Sequence, residues 1–459
     1  MYGITSSAPD VRALREELTG TVTVAGDAGW DDARAAWNLA VDQRPAAVVE
    51  PETVADVVAV VRFARERGLR VTAQGTGHGA AAHEPLHDTV LIKTHRMRVV
   101  GVDPEARLAR AQAGATWADV VGPASEHDLA PLAGSSHDVG VVGYTLGGGV
   151  SWLARKHGLA ANGVIAIQVV TADGRVRVVD SEHEPDLFWA LRGGGGSFGI
   201  VTALEIELHP VDELCAGMLA FPWERSAEVL RAWRDWTDTV PDEVMSCARI
   251  VQIPPLPEIP EPVRGRNLAI VEVVCLHGEA ATADLVAPLR ALGPEIDTIA
   301  PTGPAGLLHL HMDPPGPVPG AGDGALLDVV PGEAIDALVA AAGPDSGSPL
   351  ISVELRHLGG ALRRAHDRHG ALSTLDADFG MYAVGMAPDA DARAAVNDHI
   401  DVVKGALSEW NAGRFLNFSE RRGGGELWPP ETYRRLRAVK TLVDPDDMIR
   451  ANHPVAPID

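Results

Sequence analysis

LRVTAQGTGHGA, residues 69–80, carries a short strand straight into a turn in which Gly75, Gly77 and Gly79 alternate with Thr76 and His78. Glycine lets backbone amides approach a ligand closely and form concave, anion-holding nests, so a strand entering such a turn suits a diphosphate. The letters are neither GxGxxG opening a helix nor a GxxxxGK P-loop, so the common nucleotide-binding motifs are excluded. Immediately upstream, Val54, Val57, Val58, Val61 and Ala64 recur at helical spacing, with Thr53 placed to cap the start and Gly68 after Arg67. Two further glycine clusters follow, GYTLGGG at 143–149 and RGGGGSFG at 192–199. Between them VIAIQVVTA and RVRVVD read as a strand pair turning at Asp173-Gly174. Three such clusters in one half of a chain are hard to explain by turns alone.

The chain has 459 residues, enough for two or three domains. It is 46% hydrophobic and 22% charged, which excludes a disordered or fibrous chain. No uncharged apolar run reaches the ~18 residues of a membrane span, and MYGITSSAPDVRALREE does not read as a signal peptide. With 39 basic against 63 acidic side chains the formal charge is −24. That field repels phosphate backbones and anionic lipid, so neither nucleic acid nor membrane is expected as a partner and a cytoplasmic location is. Three cysteines, Cys215, Cys247 and Cys275, with no CxxC, argue against a disulfide framework or a zinc site.

The second half has a different texture. Helical segments near 225–238, 279–292, 332–342 and 388–409 alternate with strand-like runs at 268–275, 350–356 and 379–386, and the Pro/Gly-rich stretch 301–324 reads as a long loop. In LISVELRHLGG, Ser352, Glu354 and Arg356 share one face of a strand. That face is either hydrated surface or a site where Glu354 takes a proton and Arg356 holds an anionic group or lowers the carboxylate's pKa. His309 and His311 would share a strand face, and His366 and His369 a helix face. Neither pair has a third ligand in a recognisable pattern, so no metal is expected.

Taken together, four stretches resemble a known family. Residues 44–80, 140–159 (GVVGYTLGGGVSWLARKHGL) and 185–208 (PDLFWALRGGGGSFGIVTALEIEL) resemble the PCMH-type FAD-binding domain of vanillyl-alcohol-oxidase-like proteins. NFSE followed by ETYRRLRAVKTLVDPDDMIRANHPV resembles the C-terminal segment of the berberine-bridge-enzyme family. The resemblance covers about residues 30–212 and 415–459; the middle matches less sharply. It implies an α+β fold: a two-subdomain FAD-binding domain over 1–212 (core about 42–211), a substrate domain over 213–414 with an antiparallel sheet covered by helices, and a segment 415–459 returning to the FAD domain.

The same resemblance implies FAD bonded covalently through His78, an attachment that should raise the flavin's potential. The position of a second, cysteinyl tether is filled by Ser136, followed by His137. No cysteine precedes Cys215, so attachment is expected once only. Val139 stands where relatives place a residue beside the flavin C4a atom, and a valine there resembles oxygen-reactive members. Gly75, Thr76, Gly77, Gly79, Gly140, Gly143, Gly147, Gly148, Gly158, Gly199 and Val201 match the cofactor-binding motifs, with Tyr144 facing the ring and Asn417 near it. The resemblance implies that the family's usual catalytic carboxylate or amide is replaced by Gly385 in DFGMYAVGM, which favours Glu354 as base beside Tyr144 and Arg356.

The expected function is an FAD-dependent oxidase of a small molecule, a secondary-metabolite intermediate, with O2 as acceptor, acting as a monomer or homodimer. The alternatives are a carbohydrate (oligosaccharide) oxidase, for which ten tryptophans could supply stacking platforms, and a flavin-containing sequestering or resistance protein. A cyclase or isomerase using FAD as scaffold is a further class.

Overall fold

Thr53 caps the Val54–Glu66 helix as its spacing predicts: its hydroxyl accepts from Asp56 N at 3.1 Å while the Asp56 carboxylate accepts from Thr53 N at 3.1 Å. That carboxylate also accepts from Thr19 N at 2.9 Å and Gly20 N at 3.2 Å, so one buried side chain fixes both the helix start and the preceding turn. The helix crosses over a four-stranded sheet, linking Ala47–Glu50 to Arg70–Gln74, with Thr89–Lys93 paired in parallel between them and Thr21–Thr23 antiparallel at the edge. Val57, Val60, Val61 and Ala64 pack onto Val49, Val71, Val90 and Ile92. This computed structural model describes residues 9–83, 85–257 and 259–458. Residues 1–8 of the leader reading, and of the expected 1–212 domain, lie outside the described residues.

A second sheet of five antiparallel strands, ordered Val100–Asp103, Leu108–Gln112, Ile200–Glu207, Val164–Val170 and Val176–Val179, is covered by the Trp117–Ser125 and Pro185–Leu191 helices. The expected hairpin at Asp173-Gly174 is present, and Gly174 takes φ 71° there.

The middle of the chain builds a nine-stranded antiparallel sheet. Its central path runs Cys215–Pro222, Asn267–Cys275, Val244–Gln252, Ser352–His357, Phe379–Met386 and Gly320–Leu327. The helices Ser226–Thr237, Glu279–Arg290, Gly332–Ala342 and Ala390–Ala406 cover one face through Trp233, Val286, Leu338 and Ile400. The opposite face packs onto the first half of the chain and the tail, where Met245, Val274 and Leu326 meet Val150, Trp152, Leu153 and Phe415.

Two expectations need correcting. The stretch 301–324 is not one loop: it holds the short Leu307–Leu310 helix and the start of the Gly320–Leu327 strand. His309 and His311 therefore lie at a helix end rather than along a strand face. The strand was hidden because Gly320, Gly322 and Gly324 have no side chains to show alternation. A Cβ at Gly322 would collide with the Tyr382 hydroxyl, and one at Gly324 would lie 2.8 Å from Phe418 Cβ.

The tail rejoins the first half. Ile449 bridges Val71 in parallel, Val71 N donating to Met448 O and Arg450 N to Val71 O, at 2.9 and 2.8 Å. The fully buried Lys440 ammonium donates to Ser197 O and Ile449 O at 2.8 Å each and to Asp444 Oδ2 at 2.5 Å, filling all three donor positions. Among the described residues no helix is long and apolar enough to cross a membrane.

Candidate active site

The Arg70–Gln74 strand delivers its turn against the 136–140 segment. Gly77 takes φ 99°, and a Cβ there would lie 2.9 Å from Ala36 Cβ, Gln74 Nε2 and Trp37 N, so only glycine fits. This tight approach stacks the His78 ring on Trp37, centroids 4.0 Å apart and planes 21° from parallel. Thr76 Oγ1 lies 2.7 Å from His78 Nδ1, and Asp138 Oδ1 lies 3.5 Å from Nε2. Asp138 is itself held by Ser136 Oγ at 2.8 Å and Trp37 Nε1 at 2.5 Å. Burial works against its charge, but the donors His78, Ser136 and Trp37 win and lower its pKa to about 2. The imidazole thus stands between a hydroxyl and a permanently ionised carboxylate.

The second glycine cluster forms a short helix, Val141–Leu146, and a turn. Gly143 is exposed on that otherwise largely buried helix, and a Cβ there would meet nothing. Gly148 and Gly149 take φ 117° and 74°. Asn417 from the tail clamps this turn: its Nδ2 donates to Tyr144 O at 3.1 Å and its Oδ1 accepts from Gly149 N at 3.2 Å. Tyr144 is wedged edge-on against Trp117, centroids 5.2 Å apart, and its buried hydroxyl has no partner. Burial drives that phenol's pKa far up, with Arg356 pulling partly back.

Over this turn lies the open face of the large sheet, and its register sets out two rows of side chains. One crosses the strands as Arg249, Glu354, Tyr382 and Gly324; the next as Glu272, Cys247, Arg356 and Gly380. Opposite charges alternate within and between the rows. Arg249 donates to Glu272 at 2.5 Å, and Arg356 Nη2 lies 3.1 Å from Glu354 Oε1. His311 enters from the Leu307–Leu310 helix end and joins the rows, Nδ1 2.7 Å from Glu272 Oε2 and Nε2 2.9 Å from Glu354 Oε2. Both ring nitrogens face carboxylate oxygens, so both donate and the ring is an imidazolium. Burial and Arg249 pull its pKa down, but Glu272, Asp313 and Glu354 raise it to about 9. Burial would raise Glu354, yet Arg356, His311 and Arg249 hold its carboxyl well below the usual range. Arg356 also sits against the Trp152 ring, 5.2 Å from its centroid, and 5.6 Å from that of Phe418. Tyr382 donates a short hydrogen bond to Glu420, whose carboxyl burial pushes up.

The expected residues therefore fall into three groups. The Gly75–Gly79 turn meets the 136–140 segment through His78 beside Asp138, which Ser136 holds, and through Thr76, from which a Cβ at Gly140 would lie 3.9 Å, while Val139 O accepts from Trp117 N; His137 turns towards His309, centroids 5.7 Å apart. Tyr144 and Asn417 meet at the Gly147–Gly149 turn, and Tyr144 packs with Trp152, against which Arg356, the ion-pair partner of Glu354, is set. Gly199 and Val201 lie in the five-stranded sheet against Val169, and Gly158 ends the Ala154–His157 helix beneath Ala361. Gly385 faces the covering helices, where a Cβ would strike Val396 at 2.6 Å, so the site-facing positions of its strand are Tyr382 and Val384. The sequence reading missed Trp37, Asp138, Arg249, Glu272, Tyr382 and Glu420, and weighed His311 only beside His309 as a metal ligand. A lone arginine and a lone glutamate inside the apolar strands VMSCARIVQ and NLAIVEVVC were the available signal. Cys247, His311 and Glu354 could bring ligand atoms within 4.8 Å of one another, but the imidazole and the carboxylate are already committed to ion pairs.

Comparison with known proteins agrees with this geometry. Residues 45–180 match the FAD binding domain family. An uncharacterized FAD-linked oxidoreductase, YvdP of Bacillus subtilis, is 30% identical over 67% of this chain and 67% of its own. The chain belongs to the FAD-linked oxidoreductases of the berberine-bridge-enzyme-like family. (R)-6-hydroxynicotine oxidase of Paenarthrobacter nicotinovorans is 25% identical over 96% of this chain and 97% of its own. The solved BBE-like 1 protein of Physcomitrella patens superposes with a TM-score of 0.84 at 18% identity, over 98% of this chain and all of that one, which speaks to the fold. This FAD-linked oxidoreductase is thus an FAD-dependent oxidase by family. Its residues fit the cofactor: a glycine-only turn under His78, an open helix face at Gly143, and unpartnered polar atoms on Tyr144, Trp152 and Arg356 between turn and sheet.

Proposed function

We propose that this oxidase dehydrogenates a small organic molecule, a secondary-metabolite intermediate, with FAD attached through His78 and O2 as electron acceptor. The observation that carries the reading is that Arg356, from the charged face of the large sheet, lies against Trp152 beside the Tyr144 turn, with Tyr144 Oη, Trp152 Nε1 and Arg356 Nε unpartnered. FAD held there would offer a two-electron hydride acceptor that O2 can reoxidise.

The protein's own groups would divide the remaining work. His78, fixed by Thr76, Trp37 and Asp138, would hold the ring covalently; the serine at 136 gives no second tether. Tyr144, kept protonated by burial, would donate a hydrogen bond. Glu354 stays ionised and aims Arg356 at the substrate, and a carboxylate so acidic is a weak base. The proton of a substrate hydroxyl would instead pass to Tyr382 Oη as the phenol's own proton moves to Glu420, leaving tyrosine neutral and Glu420 a carboxylic acid.

Two features weigh against the other readings. Seven of the ten tryptophans are buried in the cores, leaving few stacking platforms for an oligosaccharide. A sequestering protein would need no proton route such as Tyr382–Glu420. The domain division follows the same logic: 1–212 with 415–459 around FAD, 213–414 for substrate. Acid precipitation should leave the yellow colour in the pellet, and anaerobic mixing with a compound panel should bleach it with one class only. Colourless protein, or flavin released completely by acid, overturns the attachment; tight binding of every candidate ligand with neither bleaching nor peroxide overturns the oxidase reading.

A further inference from the structure

The polar atoms of the sheet face are unequally engaged. Among the described residues no buried carboxylate oxygen lacks a partner. Glu272 faces Arg249 and His311 with its two oxygens, Glu354 faces Arg356 and His311, and Glu420 accepts from the Tyr382 hydroxyl and from Gly322 N at 3.0 Å. What lacks a partner is of the opposite kind. Arg356 Nε, Arg249 Nε and Trp152 Nε1 are buried without an acceptor and can only donate, and the fourth unpartnered group there, the Tyr144 hydroxyl, is kept protonated by burial and so can donate as well. Arg356 and Trp152 are in contact through the guanidinium and the indole ring, so two of these donors sit at one place, beside the Tyr144 turn.

A buried donor left without an acceptor is costly, because it has given up its hydration for nothing. The same donor becomes a strong anchor when a ligand supplies the missing lone pair, and strongest when the ligand is charged. An amine would find the reverse situation: every carboxylate it could pair with is already bound to arginine, histidine, tyrosine or backbone. The acidity of the whole protein sharpens the contrast, because at −24 overall a donor-only pocket is local chemistry rather than a reflection of general charge.

We infer that the substrate pocket is built for an anionic, acceptor-rich molecule, one that presents a carboxylate, enolate or phenolate oxygen to Arg356 and Trp152, and that it rejects amines. This rests on the oxidase reading for what happens next to the molecule, but not for the binding itself. The donors recognise an oxygen anion by its lone pairs. Trp152 adds an N–H that cannot be satisfied by a cation, so the discrimination is set by two side chains from two different halves of the fold.

The test uses oxidised holoenzyme and three probes of one shape: benzoate, benzamide and benzylamine, followed by perturbation of the visible flavin band. Benzoate should saturate, benzamide should bind about 10-fold more weakly and benzylamine should not bind measurably. Arg356→Met should weaken benzoate about 10- to 100-fold. Trp152→Phe, which removes little beyond the N–H, should weaken it by a smaller factor and covers the case in which the arginine variant does not fold. Benzamide or benzylamine binding as well as benzoate overturns the inference. So does an Arg356→Met or Trp152→Phe protein that loses flavin but keeps full benzoate affinity, because the donors would then serve the cofactor. Protein that purifies without flavin defeats the oxidase reading alone; quenching of tryptophan fluorescence by benzoate over benzylamine still reads the pocket.

Discussion

The two halves of this oxidase hold their polar groups in opposite ways. Around His78 the chain relies on backbone: Gly77 sits where a Cβ would lie 2.9 Å from its neighbours and Gly148–Gly149 turn through positive φ, so geometry is enforced by residues that have no side chain. On the large sheet the chain relies on side chains: Arg249, Glu272, His311, Glu354 and Arg356 form one buried ionic lattice whose order comes from strand register. A glycine turn tolerates almost no substitution but is indifferent to pH. An ionic lattice tolerates conservative exchange but depends on every member keeping its charge.

The sharpest test of the contrast is at the cofactor. His78→Ala should abolish acid-stable flavin completely, read as colour in the acid pellet, while His311→Gln should retain it in full; equal losses in both would erase the distinction. Next comes the proton route. Tyr382→Phe should lower kcat by about 10²–10⁴ with flavin content unchanged, and a variant with wild-type kcat would return the base to Glu354 or Tyr144. Lys440→Met leaves the buried Asp444 with its backbone donors but without its countercharge, and should destabilise the first half by about 3 kcal/mol in chemical denaturation. Gly149→Ala forces a Cβ against Tyr144 at positive φ and should cost about 1–3 kcal/mol. The smallest effect is the pH dependence of the lattice. The raised pKa of His311 makes its contribution full below about pH 6.5 and lost as pH climbs through about 9. Thermal midpoints of wild type and His311→Gln should therefore converge across that window; parallel curves would remove the imidazolium.

The same contrast explains what could be read from the letters. The flavin half was legible because glycine clusters, a capped helix and a hairpin turn are local signals, each decided within a few residues. The alternation in LISVELRHLGG exposed Glu354 and Arg356 as one face, but not their partners, since Arg249, Glu272 and His311 reach them only through cross-strand pairing and a loop far away in sequence. Tyr382 and Glu420 escaped for a related reason: the strand between them, Gly320–Leu327, owes its place to three glycines that leave room for their contact and carry no periodic pattern of their own. Asp138 was hidden in plain view, one residue from two positions that the motif did mark.

The pairing of Val71 with Ile449, secured by Lys440, means that the sheet holding Arg70–Gln74 is not finished until a segment far downstream has been made. At ~5–20 residues per second, the roughly 380 residues between those partners take ~20–75 seconds to appear. During that interval the edge of Arg70–Gln74 stands open, with its amides and carbonyls available to any passing strand. Production yield of this enzyme should therefore be governed by how well the nascent chain is sheltered at that edge, and slowing aggregation of incomplete chains should help it more than strengthening the finished fold.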